Sequence, residues 1–159
     1  MILVTVGTSE MQFNRMVLAA KKSSFSKQIV IQYGVNFLGN FDGLAFRFLS
    51  RNDMRHYINR SDLVVSHAGI GSILDCIVNK KKILLVERKI NLGESKANQM
   101  PAIDYFKDFP NIYLCNDLDK LDHDINECLS KEFIDTKNSN EPNIICNIIN
   151  EYLQIKFSI

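Results

Sequence analysis

The chain has 159 residues, 46% of them hydrophobic and 23% charged, a globular composition of one-domain size. Nineteen basic residues against eighteen acidic ones leave a formal charge of +1, which excludes both the basic footprint of a nucleic-acid binder and an acidic solvating tail. No apolar run approaches the roughly 18 residues of a membrane span, and the first run starts at Met1 without a basic leader or a small-residue cleavage site, so neither a span nor a signal peptide is expected.

In chain order, residues 2–6 are a continuous apolar run of strand length. Residues 12–20 then place Phe13, Met16, Val17 and Ala20 on one helical stripe. A second strand is expected over 28–33, closed by Gly34, followed by a loop over 36–43 and a third strand over 46–49. Asn52 or Asp53 is positioned to cap a helix carrying Met54, Tyr57 and Ile58. A short fourth strand over 63–66 leads through a Gly-rich turn into a helix with Ile73, Leu74, Ile77 and Val78. Lys80, Lys81 and Lys82 follow, reading as solvated cations at that helix's C-terminal end. A fifth strand over 83–86, a polar loop over 87–95, a helix around 96–106 and a sixth strand over 112–114 come next. Asn116 or Asp117 caps a helix with Leu118, Leu121, Ile125 and Leu129. Residues 136–142 are polar and break the pattern before a last helix, about 142–156, with Ile144, Ile145, Ile148, Ile149, Tyr152 and Leu153.

Strands alternating with helices predict an α/β chain built of βαβ units around a mainly parallel sheet. Ligands bind such sheets at the carboxyl ends of the strands. The four cysteines, Cys76, Cys115, Cys128 and Cys146, form no C-x-x-C pair and stand at no zinc-ligand spacing from a histidine. They are expected to be reduced thiols in a cytosol, and no metal site is expected.

Three loops at strand ends carry the candidate chemistry. Gly7-Thr8-Ser9 follows the first strand, where backbone amides at a helix start suit a phosphate and an ordinary capped turn suits the residues equally. Ser66-His67-Ala68-Gly69-Ile70-Gly71-Ser72, with Asp75 on the same helical face as Gly71, is the most informative stretch. Its glycines admit a ligand to the backbone, a helix N-terminus points at the loop, and Asp75 one turn in is placed to accept bonds from paired sugar hydroxyls. Leu74 stands where the third Gly of the dinucleotide fingerprint would fall, and no distal acid follows, which argues against an oxidoreductase; no G-K-[ST] makes it a P-loop. The third loop runs from Arg88 through Gly93 and Glu94 to Ser95, then to Asn98 and Gln99, and reads either as the polar rim of a polyhydroxylated-ligand site or as a solvated connection capped by Ser95.

These loops, in this order and spacing, resemble the donor-binding half of glycosyltransferase family 28. The resemblance covers residues 1–124 and rests on Val4-Thr5-Val6-Gly7-Thr8 with Phe13 and Arg15, on the His67–Asp75 motif, and on Gly93-Glu94 with Gln99. More narrowly the chain looks like the small subunit of split transferases, of the bacterial capsule and exopolysaccharide type or of the UDP-GlcNAc transferase of dolichol-linked oligosaccharide assembly. It departs from the family pattern at Ser9 and Asn98, where His is usual, and at Asp75, where Glu is usual.

The resemblance implies a Rossmann-like parallel sheet with helices on both faces, equivalent to the C-terminal half of a GT-B transferase, with residues 1–159 forming one donor-nucleotide domain. It implies a UDP-sugar donor held by Gly7, Thr8, Ser9, His67, Ala68, Gly69, Ile70, Gly71, Ser72 and Asp75, with Glu94, Asn98 and Gln99 reading the sugar. No cofactor or metal is implied. The general base is expected on a membrane-anchored partner subunit that presents a lipid-linked saccharide, His67 being the one weak candidate here. The chain itself is expected in the cytoplasm, recruited to the inner face of the membrane by that partner. The final helix offers Ile145, Ile148, Ile149 and Tyr152 either to that partner or to its own sheet. The implied reaction is metal-independent hexosyl transfer in capsule or exopolysaccharide synthesis; the alternatives are the dolichol-type UDP-GlcNAc subunit and a non-catalytic nucleotide-binding or scaffolding module.

Overall fold

The structure is a computed structural model that describes residues 1–135 and 144–157. Its six strands are β1 (Ile2–Thr5), β2 (Ile29–Gln32), β3 (Leu44–Phe46), β4 (Leu63–His67), β5 (Ile83–Val86) and β6 (Ile112–Cys115). All pair in parallel, in the order β3-β2-β1-β4-β5-β6. The α-helices among the described residues are α1 (Asn14–Lys22), α2 (Arg51–Arg60), α3 (Ile70–Val78), α4 (Met100–Phe106), α5 (Leu121–Ser130) and α6 (Ile144–Phe157). The chain winds outward from β1 through β2 to β3, then returns to lay β4, β5 and β6 on the other side. The strand order therefore reverses between β1 and β4, and a crevice opens at their carboxyl ends.

The strands read as unbroken apolar runs because both faces of the sheet are covered. Ile2, Val4, Ile31, Val65 and Leu84 pack on one face with Met16 and Val17 of α1 and Ile125 of α5. Leu3, Val30, Val64, Ile83 and Leu85 pack on the other with Ile58 of α2, Ile73 of α3, Phe106 of α4 and Ile148 of α6. The period of two along each strand thus feeds two cores at once. This is the Rossmann-like sheet with helices on both faces that the sequence pattern and the family resemblance predict.

Several local readings are corrected. The third strand is Leu44–Phe46 rather than 46–49: only Ala45 and Phe46 are half-buried and Leu44 is exposed, so the edge lacks the apolar run that marks the other strands. The cap of α2 is Ser50, whose Oγ accepts the Asp53 amide at 3.1 Å, rather than Asn52 or Asp53. The helix expected from 96 begins only at Met100, with Asn98 Oδ1 accepting the Met100 amide at 2.9 Å. Asp117 does cap as expected, but it opens a 3-10 turn, Leu118–Lys120, that leads into α5. The polar stretch 136–142 lies outside the described residues, apart from which α6 occupies nearly the span expected of it.

Two features concern elements read as solvent-facing or partner-facing. The α6 side chains Ile148 and Tyr152 are buried, Tyr152 stacking on Phe106 at 6.2 Å and lying edge-on to Tyr105 at 5.7 Å. Tyr105 Oη donates to Glu151 at 2.8 Å. The helix is thus docked on α4 of its own chain, leaving Cys146 and Leu153 outward; the side chains of Ile144, Ile145 and Ile155 lie outside the described set. Lys82, read as a solvated helix end, instead reaches α5: its Nζ donates to the carbonyls of Cys128 at 2.8 Å, Leu129 at 3.3 Å and Lys131 at 2.8 Å. A cation there meets the carbonyls that a helix C-terminus leaves unpaired. Lys82→Met should therefore lower stability by about 1–2 kcal/mol, read as a lower urea midpoint at unchanged slope. Lys80→Met breaks only an exposed pair with Asp135 and should change stability by no more than about 0.5 kcal/mol.

Candidate functional site

The carboxyl ends of the central strands carry a buried polar layer. Thr5 lies in register with Gln32 on one side and Ser66 on the other, and all three are buried. Thr5 Oγ1 donates to Gln32 Oε1 at 2.6 Å, Gln32 Nε2 donates to the Gly7 carbonyl at 2.9 Å, and the Gly7 amide donates to Thr5 Oγ1 at 3.2 Å. This closed circuit fixes the turn out of β1. Gly7 takes φ +76°, a left-handed conformation in which a side chain is strained. Asn36, read only as part of a loop, is buried and accepts the Phe13 amide at 2.5 Å, fixing the far end of the same β1–α1 loop.

His67 ends β4 and its ring lies between two glycines. A Cβ on Gly7 would come within 2.4 Å of His67 Cε1, and one on Gly69 within 2.3 Å of Nε2. Both positions must be glycine for the ring to sit there, so the first and second loops are in direct contact through this imidazole. Burial, and the positive charge of Arg88, hold the His67 pKa down to about 4 from 6.5, against an opposing hydrogen bond with the Thr5 backbone. The ring is neutral at neutral pH, able to donate and accept one hydrogen bond each. A base this weak does not fit the removal of a proton from an acceptor hydroxyl. Beyond it, α3 opens at Ile70 with Gly69 as its cap residue and no side-chain cap. The amides of Ile70, Gly71 and Ser72 have no acceptor within the helix, as at any helix start, and Gly71 is exposed. Asp75 stands one turn further along, exposed, with no partner for its carboxylate among the described residues.

The third loop is where the sequence reading needs most correction. Arg88 and Glu94, read as a polar rim, are both buried. Arg88 donates to the carbonyls of Val6 at 2.7 Å, Met11 at 3.0 Å and Glu94 at 2.7 Å. Glu94 uses both carboxylate oxygens on Arg15 Nε, at 2.8 and 3.0 Å, and takes the Lys89 amide at 2.8 Å. Arg15 also donates through Nη2 to the Glu87 carbonyl. Both guanidinium groups lie over the buried Phe13 ring, at 4.8 Å for Arg88 and 5.0 Å for Arg15. Glu94 is therefore tied into the scaffold of the site, and Gln99 partly so, since its Oε1 accepts the Arg88 amide at 2.9 Å. Asn98 is exposed at the start of α4.

Thus the structure joins Gly7, Thr8 and Ser9 to the His67–Ser72 loop through His67, and to the third loop through Arg88. Thr8, Ser9, Asp75 and Asn98 remain exposed around them. The three residues that sequence reasoning placed outside the site, or only at its rim, are Arg88, Arg15 and Asn36. Their signal was present only as three polar residues flanking Gly-containing loops. An open groove of about 530 Å³ adjoins this region between α1 and the β6–α5 connection, sharing Arg15 and Lys89 with it.

Among the described residues one group could hold a metal by ligand spacing, His123, Asp124 and Glu127, whose ligand atoms lie within 4.8 Å of one another on α5. Sequence reading missed their shared helical face; Glu127 is already held by Lys131 at 2.6 Å. The buried thiols of Cys115 and Cys128 are pushed up to about 12 by burial, and that of Cys76 higher still, so none of the three is a thiolate at neutral pH.

Comparison with known proteins places this geometry. The family model described as the glycosyltransferase family 28 C-terminal domain matches residues 1–150. The UDP-N-acetylglucosamine transferase subunit ALG13 of Candida glabrata is 31% identical over 127 residues, 69% of this chain and 60% of that protein. The subunit of the same name from Candida albicans is 38% identical over 75 residues, 45% of this chain and 26% of that protein. The chain thus spans less than two thirds of the length of the curated relatives it matches. Among solved structures, the NMR structure of ALG13 superposes with a TM-score of 0.64 at 18% identity, covering 96% of each chain. The calicheamicin glycosyltransferase CalG4 superposes at 0.62 and 12% identity, covering 98% of this chain and 44% of that one. At these identities the superpositions show the fold, that of the C-terminal half of a GT-B transferase.

The neutral burial of His67 has a consequence for stability. Its folded pKa of about 4 lies below the unfolded value of 6.5, so the unfolded chain binds the proton first as pH falls. Stability from this group is unaffected above pH 6.5 and is lost progressively down to pH 4. The loss amounts to roughly 2–3 kcal/mol after allowance for partial exposure. Urea midpoints measured across that window should fall for the wild type, and His67→Gln should remove that part of the slope. An unchanged slope in a folded His67→Gln variant would show that the imidazole is not held neutral.

Proposed function

The chain belongs to glycosyltransferase family 28, by its C-terminal domain, and from that premise we propose that it is the donor-binding subunit of a UDP-N-acetylglucosamine transferase. The observation that carries the reading is the free first turn of α3 beside a neutral His67, with the unpartnered carboxylate of Asp75 one turn along. Amides at a helix N-terminus suit a diphosphate, and a carboxylate at that distance suits the two hydroxyls of a ribose. N-acetylglucosamine is favoured over a capsule hexose because the curated relatives above carry that activity in their names. Asn98 and the free amide nitrogen of Gln99 are the groups nearest in kind to sugar readers, since Glu94 is engaged by Arg15.

In the reaction proposed, an acceptor hydroxyl oxygen attacks the anomeric carbon with inversion. The bond from that carbon to the diphosphate breaks, UDP leaves with the electron pair, and the hydroxyl proton passes to a base. The amides of Ile70, Gly71 and Ser72 meet the charge that grows on the leaving group, and no metal is required. His67 donates a hydrogen bond without accepting the acceptor's proton, so the base belongs to a second subunit that also presents a lipid-linked saccharide. No helix among the described residues is long and apolar enough to cross a membrane; in this proposal the second subunit brings the chain to the membrane. With Ile148 and Tyr152 turned onto α4, docking through α6 would use its outer face.

Calorimetry tests the reading. UDP and UDP-N-acetylglucosamine should bind in preference to NAD and to UDP-glucose, with affinity unchanged by EDTA. Asp75→Ala should weaken UDP binding roughly ten- to hundredfold with the fold intact, the loss of hydrogen bonds to a charged acceptor. Tighter NAD binding, UDP binding abolished by EDTA, or unchanged UDP affinity in the variant would each overturn its own part of the proposal.

A further inference from the structure

We infer that Arg88 is a positioning residue for the diphosphate: its guanidinium clamps the β1–α1 loop at two points and leaves the charge cluster beneath it with one positive charge in excess. The inference rests on the reading that the crevice takes a nucleoside diphosphate. Arg88 touches no solvent-facing groove, being 3% exposed, and acts only through the backbone it holds. The carbonyls of Val6 and Met11, its acceptors, bracket Gly7, Thr8, Ser9 and Glu10. With those carbonyls drawn onto the guanidinium, the amides of Thr8, Ser9 and Glu10 donate to no described residue and are left for a ligand.

The charge arithmetic points the same way. Arg88 and Glu94, both buried, and the half-buried Arg15 form a cluster of two positive groups against one negative. Glu94 spends both oxygens on Arg15 and the Lys89 amide and acts on Arg88 only through space, the hydrogen bonds of Arg88 all going to neutral carbonyls. Its Nε is buried with no hydrogen-bond partner. Burying a cation with an orphaned donor is costly, and a neutral amide would tie two loops together without that cost. An anion held by the loop directly above offsets it. The flat, five-donor fork of arginine is also the group that can hold three carbonyls from two loops at once.

The test separates the diphosphate's share of affinity from that of the nucleoside. Affinities for UDP, uridine and inorganic pyrophosphate would be measured for the wild type, Arg88→Gln and Arg88→Lys, with the fold checked by NMR. Arg88→Gln should reduce the UDP-over-uridine affinity ratio at least tenfold while uridine binding stays within about twofold, a split that general loosening of the fold would not produce. Arg88→Lys should fall between Gln and wild type. A folded Arg88→Gln with the wild-type ratio, or a lysine variant no better than glutamine, overturns the inference. Where the Arg88 variants fail to fold, Glu94→Gln decides: removal of the one compensating charge should raise the ratio, and an unchanged or lower ratio overturns it. A wild type that binds pyrophosphate but not UDP refutes the nucleotide reading and leaves Arg88 to be judged on pyrophosphate; one that binds neither refutes both.

Discussion

One buried guanidinium ties the first strand-end loop to the third. Arg88 leaves β5, passes over the ring of Phe13, and donates to carbonyls on both sides of the crevice. Its partner carbonyl on Glu94 sets where that carboxylate meets Arg15, and Arg15 in turn fixes the first turn of α1 against the Glu87 backbone. Its charge also helps keep His67 neutral, and a neutral imidazole can rest between Gly7 and Gly69 without a counter-ion. A lysine at 88 would carry the charge but could not span the same carbonyls, because an ammonium lacks the planar fork.

The sheet was legible in the sequence because a doubly covered parallel strand must be apolar at every position, and 2–6, 28–33, 63–66 and 83–86 are nearly so. The third strand was displaced for the complementary reason: it is an edge, its residues are half-exposed, and hydropathy marks it weakly. The placement of Asp75 one turn beyond the glycine-rich loop was legible from spacing alone. What spacing could not reveal was the fate of charged side chains. Arg88 and Glu94 read as surface because such residues are seldom fully buried unless paired, and pairing across 79 residues, as between Arg15 and Glu94, leaves no local trace. Lys82 was misread for the same reason, its carbonyl partners lying 46 to 49 residues away. The family resemblance implied Glu94 as a sugar reader, and the structure has its carboxylate buried and engaged by Arg15.

The last helix shows how a short chain completes its second core. Phe106 is fully buried in the second core, with the rings of Tyr105, Phe109 and Tyr152 around it, the last from α6. The helix is thus part of the fold's own packing before it is a surface for anything else. A partner that engaged it would be reading a rigid element seated on α4.

The register of the sheet carries a thermodynamic consequence. Ile2 pairs with Leu63, a separation of 61 residues, whereas β2 meets β3 only 14 residues apart (Val30 to Leu44) and β4 meets β5 19 apart (Val64 to Ile83). The β1–β4 seam is therefore the longest-range pairing in the sheet, and it joins two halves that are each built from nearer neighbours. The crevice opens along this seam. A ligand that bridges it binds only when both halves are folded and joined, so its binding free energy is distributed to the whole sheet. Amides in β2 and β6, which lie on opposite flanks and touch no ligand, should then gain protection from hydrogen exchange together as the site fills.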